Sequence, residues 1–232
     1  MIAENLQQLH ERIGTVCRRC GRNAEEIQLI AVSKTVSADR IRQAMQCGIY
    51  DFGENYIQEL NRKRIVLNGA LLRWHFIGHL QSNKVKYIAD YAHLIHSVDD
   101  ADLGKEISKR AERAGRVQDV LIEVHTTDEP TKEGVPPEKT VGLARQLSRF
   151  KNLRVCGLMT MGPFSDNPEK ARTSFRHLAD LKRELEKEGI ENIFMQHLSM
   201  GMSHDFEVAI EEGATMIRIG TAIFGRRLNK TL

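Results

Sequence analysis

Eight short strand-like runs that alternate with helical patterns place the strongest constraint on what this 232-residue chain folds into. They are "QLIAVSKT" (28–35), "YDFGEN" (50–55), "RWHFIG" (73–78), "LIHSVD" (94–99), "DVLIEVHT" (119–126), "VCGLMTMG" (155–162), "FMQHLSMG" (194–201) and "MIRIGTAIF" (216–224). Apolar positions at helical spacing lie between them: Ile41/Ala44/Met45, Val85/Ile88/Ala89, Leu103/Ile107/Ala111, Leu143/Leu147/Phe150 and Ala171/Phe175/Leu178/Leu185. The last set has Asn167 and Pro168 as a capped start and Gly189 as a stop. Strands alternating with helices build parallel βα units. Eight units in about 200 residues suit an α/β fold of the (β/α)8 barrel type, although a doubly wound open sheet gives a similar one-dimensional pattern.

Ile2, Leu6, Leu9, Ile13 and Val16 add an amphipathic helix, so an N-terminal helical extension is expected within residues 1–25. No Pro/Gly/Ser linker, low-complexity tract or short repeat marks a boundary, and residues 1–232 are expected to form one domain. The chain also stops eight residues after the last run, so no further domain is expected behind the barrel.

The formal charge of +3 and the pI near 8.7 argue little for nucleic acid, because basic residues alternate with acids in stretches such as "LKRELEKEG". The opening "MIAENLQQLHERIGTV" lacks the apolar core of a signal peptide, and no stretch has the length to cross a bilayer. A cytoplasmic protein without nucleic-acid or membrane partners is expected, with monomer as the default state. Cys17 and Cys20 have metal or redox spacing in "CRRC", but no second Cys/His pair lies near; they read as incidental thiols, and no metal is expected.

In a barrel of this kind, chemistry gathers at the C-terminal ends of the strands. Lys34, Glu54, Asn55, His79, Gln81, Ser199 and Thr221 all fall there. Lys34 ends an apolar strand, and partial desolvation favours the neutral, nucleophilic amine that condenses with a carbonyl. The bland alternative is a snorkelling edge lysine.

The last two βα units bear on that choice. "HLSMGMSHDFEVAIEEGA" sets Ser199, Gly201 and Ser203 before a helix, with Ser203 as a natural N-cap, and "RIGTAIFG" offers Gly220 for close backbone approach and Thr221 as a hydroxyl donor. Loops after strands seven and eight commonly hold phosphate in these barrels; the alternative is plain capping with turn glycines. Arg218 sits between isoleucines, where a guanidinium requires a partner: a carboxylate inside the barrel, or a ring nitrogen of a ligand whose phosphate lies at Gly220. A lysine for an aldehyde, a phosphate cradle and a donor for a ring nitrogen together describe pyridoxal phosphate.

"LIAVSKT", "FGENYIQE", "WHFIGHLQSNK", "KEGV", "GLMTMGP" and "LSMGMSHDFEVAIEEGATMIRIGTAIFG" resemble the pyridoxal phosphate homeostasis proteins, the YggS-like or PROSC family, from about residue 26 to 225. The resemblance implies a barrel similar to the N-terminal domain of alanine racemase, with Lys34 carrying pyridoxal 5'-phosphate as a Schiff base. It also implies phosphate contacts at Ser199, Gly220 and Thr221, Arg218 toward the cofactor ring, and Asn55 near the cofactor. The loop "HTTDEPTKEG" departs from the family pattern, and no role is assigned to Lys132 in it.

Enzymes use pyridoxal phosphate as an electron sink by keeping its ring nitrogen protonated with a carboxylate, whereas an arginine only donates. A racemase further needs an acid/base on the opposite face, which in the racemases comes from an added β domain. The expected function is therefore storage and delivery of the cofactor in vitamin B6 homeostasis, without amino-acid turnover. Free amino acids, other amines and cofactor-requiring apoenzymes are the expected partners. The rivals are a racemase-like or decarboxylase-like enzyme using His79, His197 or His204, and a Schiff-base aldolase acting on a phosphosugar.

Overall fold

All eight expected runs form strands. In the computed structural model, which describes residues 1–127, 129 and 133–225, these are β1 (Gln28–Val32), β2 (Asp51–Glu54), β3 (Arg73–Phe76), β4 (Leu94–Val98), β5 (Gln118–Glu123), β6 (Leu153–Met159), β7 (Ile193–Ser199) and β8 (Met216–Ile219). Each pairs in parallel with the next, and β8 returns to β1 through Gln28–Met216, Leu29–Ile217, Ile30–Arg218 and Ala31–Ile219. That last register closes the barrel and excludes the open sheet. Lys132 lies outside the described residues.

The helices are α1 (Ile2–Arg19), α2 (Ala38–Gln46), α3 (Ile57–Val66), α4 (Ala101–Arg113), α5 (Thr140–Leu147), α6 (Arg172–Glu188), α7 (Phe206–Glu211) and α8 (Thr221–Phe224). Asn167 caps the 3-10 turn that leads into α6, its side chain accepting from Glu169 N–H, and Gly189 ends α6 in a left-handed conformation at φ 56°.

Three differences from the sequence expectation have local causes. The segment at Val85, Ile88 and Ala89 is a 3-10 turn over Ser82–Tyr87, because burying residues three apart satisfies either helix type. The run 216–224 divides at Gly220 into β8 and the single turn α8, since periodicity does not separate a strand from a short helix in so brief an apolar run. Helix α3 has no clear amphipathic signature: Ile57 and Leu60 are buried, but Ile65 and Val66 face solvent.

Most of the core lies between barrel and helices, with Phe52, Leu60, Ile107, Phe175 and Phe206 among its fully buried members. Ile30, Leu94, Leu121, Cys156, Met159 and Met216 form a separate small cluster. Helix α1 packs on α7 and α8: Asn5 Nδ2 donates to Ile223 O at 2.8 Å, and Arg22 Nη1 donates to the carbonyls of Ile210 at 2.8 Å and Ala214 at 2.7 Å. Cys17 is buried in this contact as a free thiol, and Cys20 is also free. Among the described residues no helix is long and apolar enough to cross a membrane.

Candidate functional site

Lys34 sits half-buried in the turn after β1. The next residue, Thr35, has φ 65°, a left-handed conformation that a β-branched side chain adopts only under constraint. The constraint is visible: Glu59 Oε1 on α3 accepts from Thr35 N–H at 2.6 Å. Beneath the turn, Glu54 Oε1 accepts from Ser33 Oγ and from Lys63 Nζ, each at 2.6 Å, and Lys63 Nζ also reaches Glu59 at 2.7 Å. Burial pushes the Glu54 carboxyl upward while Lys63 opposes it. The lysine-bearing turn thus rests on a buried, multiply bonded ion pair.

On the other side of the β1–β8 seam, the loop after β7 departs from expectation. Ser203 does not cap α7; Asp205 holds the N-cap position, and its Oδ1 accepts from Met202 N–H at 2.6 Å within the loop. Ser203 Oγ instead accepts from Ala222 N–H at 3.3 Å, at the start of α8. Gly201 is required by packing, since φ is 92° and a Cβ there would lie 2.5 Å from Ala209 Cβ. Gly220 is not: its φ is −112°, and a Cβ would meet Val32 at 3.5 Å, an ordinary contact. Its bare backbone and the exposed Thr221 lie at the mouth, beside the strand that leads to Lys34.

Arg218 is only 4% exposed, yet among the described residues no carboxylate bonds it directly. Its Nη1 donates to Ser199 O and to Ser199 Oγ, both at 2.7 Å, and its Nη2 donates to Thr160 O at 2.8 Å. Burial lowers its pKa to about 10, with Glu123 and Asp205 opposing, so it remains a cation at neutral pH. Ser199 is fully buried, and its hydroxyl is engaged by Arg218 and by His96 Nδ1 at 2.9 Å. Among the expected site residues, then, Ser199 faces Arg218 inside the barrel, while Gly220 and Thr221 face outward.

Asn55 follows β2 and is held by Gly78, where a Cβ would sit 2.4 Å from Asn55 O. Its Oδ1 is buried without a hydrogen-bond partner among the described residues, an acceptor suited to a bound donor. It borders a cavity of about 180 Å³ shared with His79, Glu123, His125, Glu133 and Met161. Glu123 is 7% exposed, and burial, helped by the charges of Asp99 and Glu133, pushes its carboxyl up to about 7. His79, Asp99 and Glu133 bring donor atoms within 4.8 Å of one another, but His79 and Glu133 are exposed, as solvated groups commonly are.

The histidines considered for acid/base work separate widely. His197 lines a cavity of about 210 Å³ with Gln28, His93, Asp119 and Arg154, residues near the strand beginnings, at the end of the barrel away from Lys34. His79 and His204 are exposed on loops that follow strands. Sequence reasoning missed His96, Thr160 and Glu123. The alternation in "LIHSVD" gave a signal for His96; Thr160 takes part through a main-chain carbonyl, which no residue type betrays.

A closed parallel barrel whose seam joins a strand-end lysine to an open glycine–threonine turn defines a class, and the family described as alanine racemase, N-terminal domain, matches residues 5–227. An alanine racemase of Clostridium difficile 630 shares the fold at a TM-score of 0.75 and 16% identity, covering 98% of this chain and 58% of that one. A pyridoxal phosphate homeostasis protein of Aquifex aeolicus is 49% identical, over 97% of each chain. The structure of PipY from Synechococcus elongatus PCC7942 with PLP bound matches at a TM-score of 0.85 and 32% identity, covering 97% of this chain and 100% of that one. The chain belongs to the pyridoxal phosphate homeostasis protein family.

Proposed function

We propose that residues 1–232 form one cofactor-binding unit that holds pyridoxal 5'-phosphate covalently on Lys34 and serves its storage and delivery, without turning over amino acids. One observation carries the reading: Gly220 packs against Val32, two residues before Lys34, so an anion on the Gly220–Thr221 turn would lie beside the strand end that carries the lysine. The residues fit the group. Gly220 leaves a gap that packing does not require, and Asn55 Oδ1 is an orphaned acceptor.

Bound there, pyridoxal phosphate supplies an aldehyde that condenses with primary amines. Lys34 holds the carbonyl carbon, and Thr221 with the Gly220–Thr221 backbone takes the phosphate. Asn55 orients the cofactor from the β2 side. Arg218 addresses the ring nitrogen as a pure donor and leaves that nitrogen unprotonated, which weakens the electron sink. Ser199 acts by holding Arg218. Other amines, including those of cofactor-requiring apoenzymes, reach the mouth from solvent.

Glu123 favours a second reading, a racemase-like enzyme, because a carboxyl poised near 7 at the mouth suits proton transfer. Exchange of amino-acid α-protons in deuterated water separates the two: rapid exchange establishes the enzyme and removes the carrier.

The cofactor itself is tested by the absorption spectrum, borohydride reduction and peptide mapping. A visible band lost on reduction, with the pyridoxyl mass on the Lys34 peptide and no covalent product in Lys34→Ala, is the expected result. A colourless protein that takes up no added pyridoxal phosphate overturns the reading in favour of the aldolase.

A further inference from the structure

We propose that His96, His75 and Asp51 are positioning residues for Arg218, forming a single aligned chain of hydrogen bonds through the barrel that couples the guanidinium to the Asp51–Arg73 pair at the strand beginnings. The proposal rests on the cofactor reading above, in which Arg218 is the ring-side group.

The chain is continuous. Arg218 Nη1 reaches Ser199 Oγ at 2.7 Å; Ser199 Oγ and His96 Nδ1 are 2.9 Å apart; His96 Nε2 and His75 Nδ1 are 3.0 Å apart; and His75 Nε2 lies 2.9 Å from Asp51 Oδ1. Arg73 then closes on Asp51 with two bonds, Nε to Oδ1 at 2.7 Å and Nη2 to Oδ2 at 2.6 Å. Ser199, His96 and His75 are fully buried or nearly so, whereas the Arg73 side chain is 50% exposed.

The direction of every hydrogen follows from the ends. Arginine only donates, so Ser199 Oγ accepts from it, and the Asp51 carboxylate only accepts, so His75 Nε2 donates to it. With one proton on each ring, His75 Nδ1 then accepts from His96 Nε2, and His96 Nδ1 accepts the Ser199 hydroxyl hydrogen. Both imidazoles are thereby oriented with Nε2–H toward Asp51 between a cation and an anion, and the aligned bonds polarise one another.

The surroundings enforce this state. Burial, with the Arg218 cation nearby, holds His96 well below its ordinary pKa. Burial works against the Asp51 carboxyl, but the bonds from Arg73 and His75 hold it well below the usual carboxylate range. His93 stacks edge-on to His75 at 5.3 Å between ring centroids, and its own charged form is disfavoured by burial. Barrels of this type normally fill with branched apolar side chains, so a polar column carries a desolvation cost that packing alone does not explain. Among the described residues Arg218 bonds to carbonyls and a hydroxyl, Glu123 and Asp205 supply the negative charge that opposes its burial, and the column fixes the orientation of that hydroxyl.

The test uses the full chain. In protein without cofactor, nitrogen-15 NMR should show His75 and His96 as Nε2–H tautomers and should resolve slowly rotating Nη groups on Arg218. Asp51→Asn keeps an acceptor but removes the charge, and Arg73→Gln removes the two bonds that hold the Asp51 carboxylate from the half-exposed end of the chain. Both should speed Arg218 Nη rotation, move the pH midpoint of the visible band in cofactor-loaded protein, and weaken cofactor binding by about two- to thirtyfold.

An Nδ1–H tautomer or an imidazolium at either histidine overturns the proposal. So do Arg218 signals that stay at wild-type values in both variants, even where stability falls, because that outcome makes the column purely structural. If Asp51→Asn does not fold, Arg73→Gln alone decides. Should wild-type protein bind no pyridoxal phosphate, the cofactor reading fails separately, and the tautomers and Arg218 signals still report on the chain.

Discussion

Ser203 Oγ accepts from Ala222 N–H at 3.3 Å and ties the loop after β7 to the first turn of α8. Helix α1 holds the same turn from below through Asn5 Nδ2 and Ile223 O, 2.8 Å apart. Gly220 and Thr221 are therefore anchored from two directions while Thr221 stays exposed. A site fixed before its ligand arrives loses little entropy on binding, which is what a protein that must hold a small cofactor requires.

This anchoring separates binding from stability at residues 220 and 221. Gly220→Ala is expected to change folding stability by no more than about 0.5 kcal/mol, because the added Cβ meets only an ordinary contact with Val32. It should nonetheless lower cofactor affinity. Thr221→Val should weaken binding by about 1–2 kcal/mol, the loss of a hydrogen bond to a charged group. Cofactor titration beside urea unfolding checks both, and unchanged affinity in the two variants moves the phosphate elsewhere.

Ser199→Ala removes the hydroxyl between Arg218 and His96 but leaves the carbonyl bonds of the guanidinium in place. The expected cost is about 1–3 kcal/mol of stability, the price of leaving buried polar groups unsatisfied. Denaturant unfolding measures it, together with a changed spectrum of the loaded protein. Wild-type stability and spectrum would detach Ser199 from the site.

Lys63→Met leaves the Glu54 carboxyl buried without its cation, beneath the turn that carries Lys34. Breaking a buried pair from one side costs about 3–5 kcal/mol, and the double variant Glu54→Gln/Lys63→Met should recover much of that loss. Equal instability of single and double variants would show that the pair itself, not the orphaned charge, stabilises the turn.

Glu123 predicts a pH dependence of stability. Its carboxyl, ordinarily near 4.5, is raised to about 7 in the folded chain. Between those values the unfolded chain has lost a proton that the folded chain retains. The stabilising contribution is complete below about 4.5 and disappears as pH rises through 7. Glu123→Gln should remove that slope and gain up to about 3 kcal/mol over wild type at pH 8, with no gain at pH 4. Parallel pH profiles for the two proteins would place the Glu123 pKa at its ordinary value.

Much of this was legible in the sequence for identifiable reasons. A strand buried on both faces reads as a short apolar run, so all eight strands were marked, and Asn167, Pro168 and Gly189 bounded α6 by local backbone chemistry. Helix α3 was not legible because its exposed Ile65 and Val66 blur the apolar stripe. Local capping rules pair Ser203 with the helix beside it in sequence, whereas its hydroxyl serves a turn beyond the next strand. Capping rules describe neighbours in sequence and carry no information about loops brought together by barrel closure.

The sequence by itself determined the order of βα units, the lysine at the end of the first strand, and the glycine and threonine that follow the last. These depend on local periodicity and residue type. Only the tertiary structure decided that β8 meets β1, which brings Gly220 against Val32 beside the Lys34 turn. It alone also decided that Arg218 rests on Ser199 and Thr160 rather than on a carboxylate. The physical reason is that closure and side-chain partnership arise between residues far apart in the chain, where a donor buried on one strand takes whichever acceptor folding places within reach.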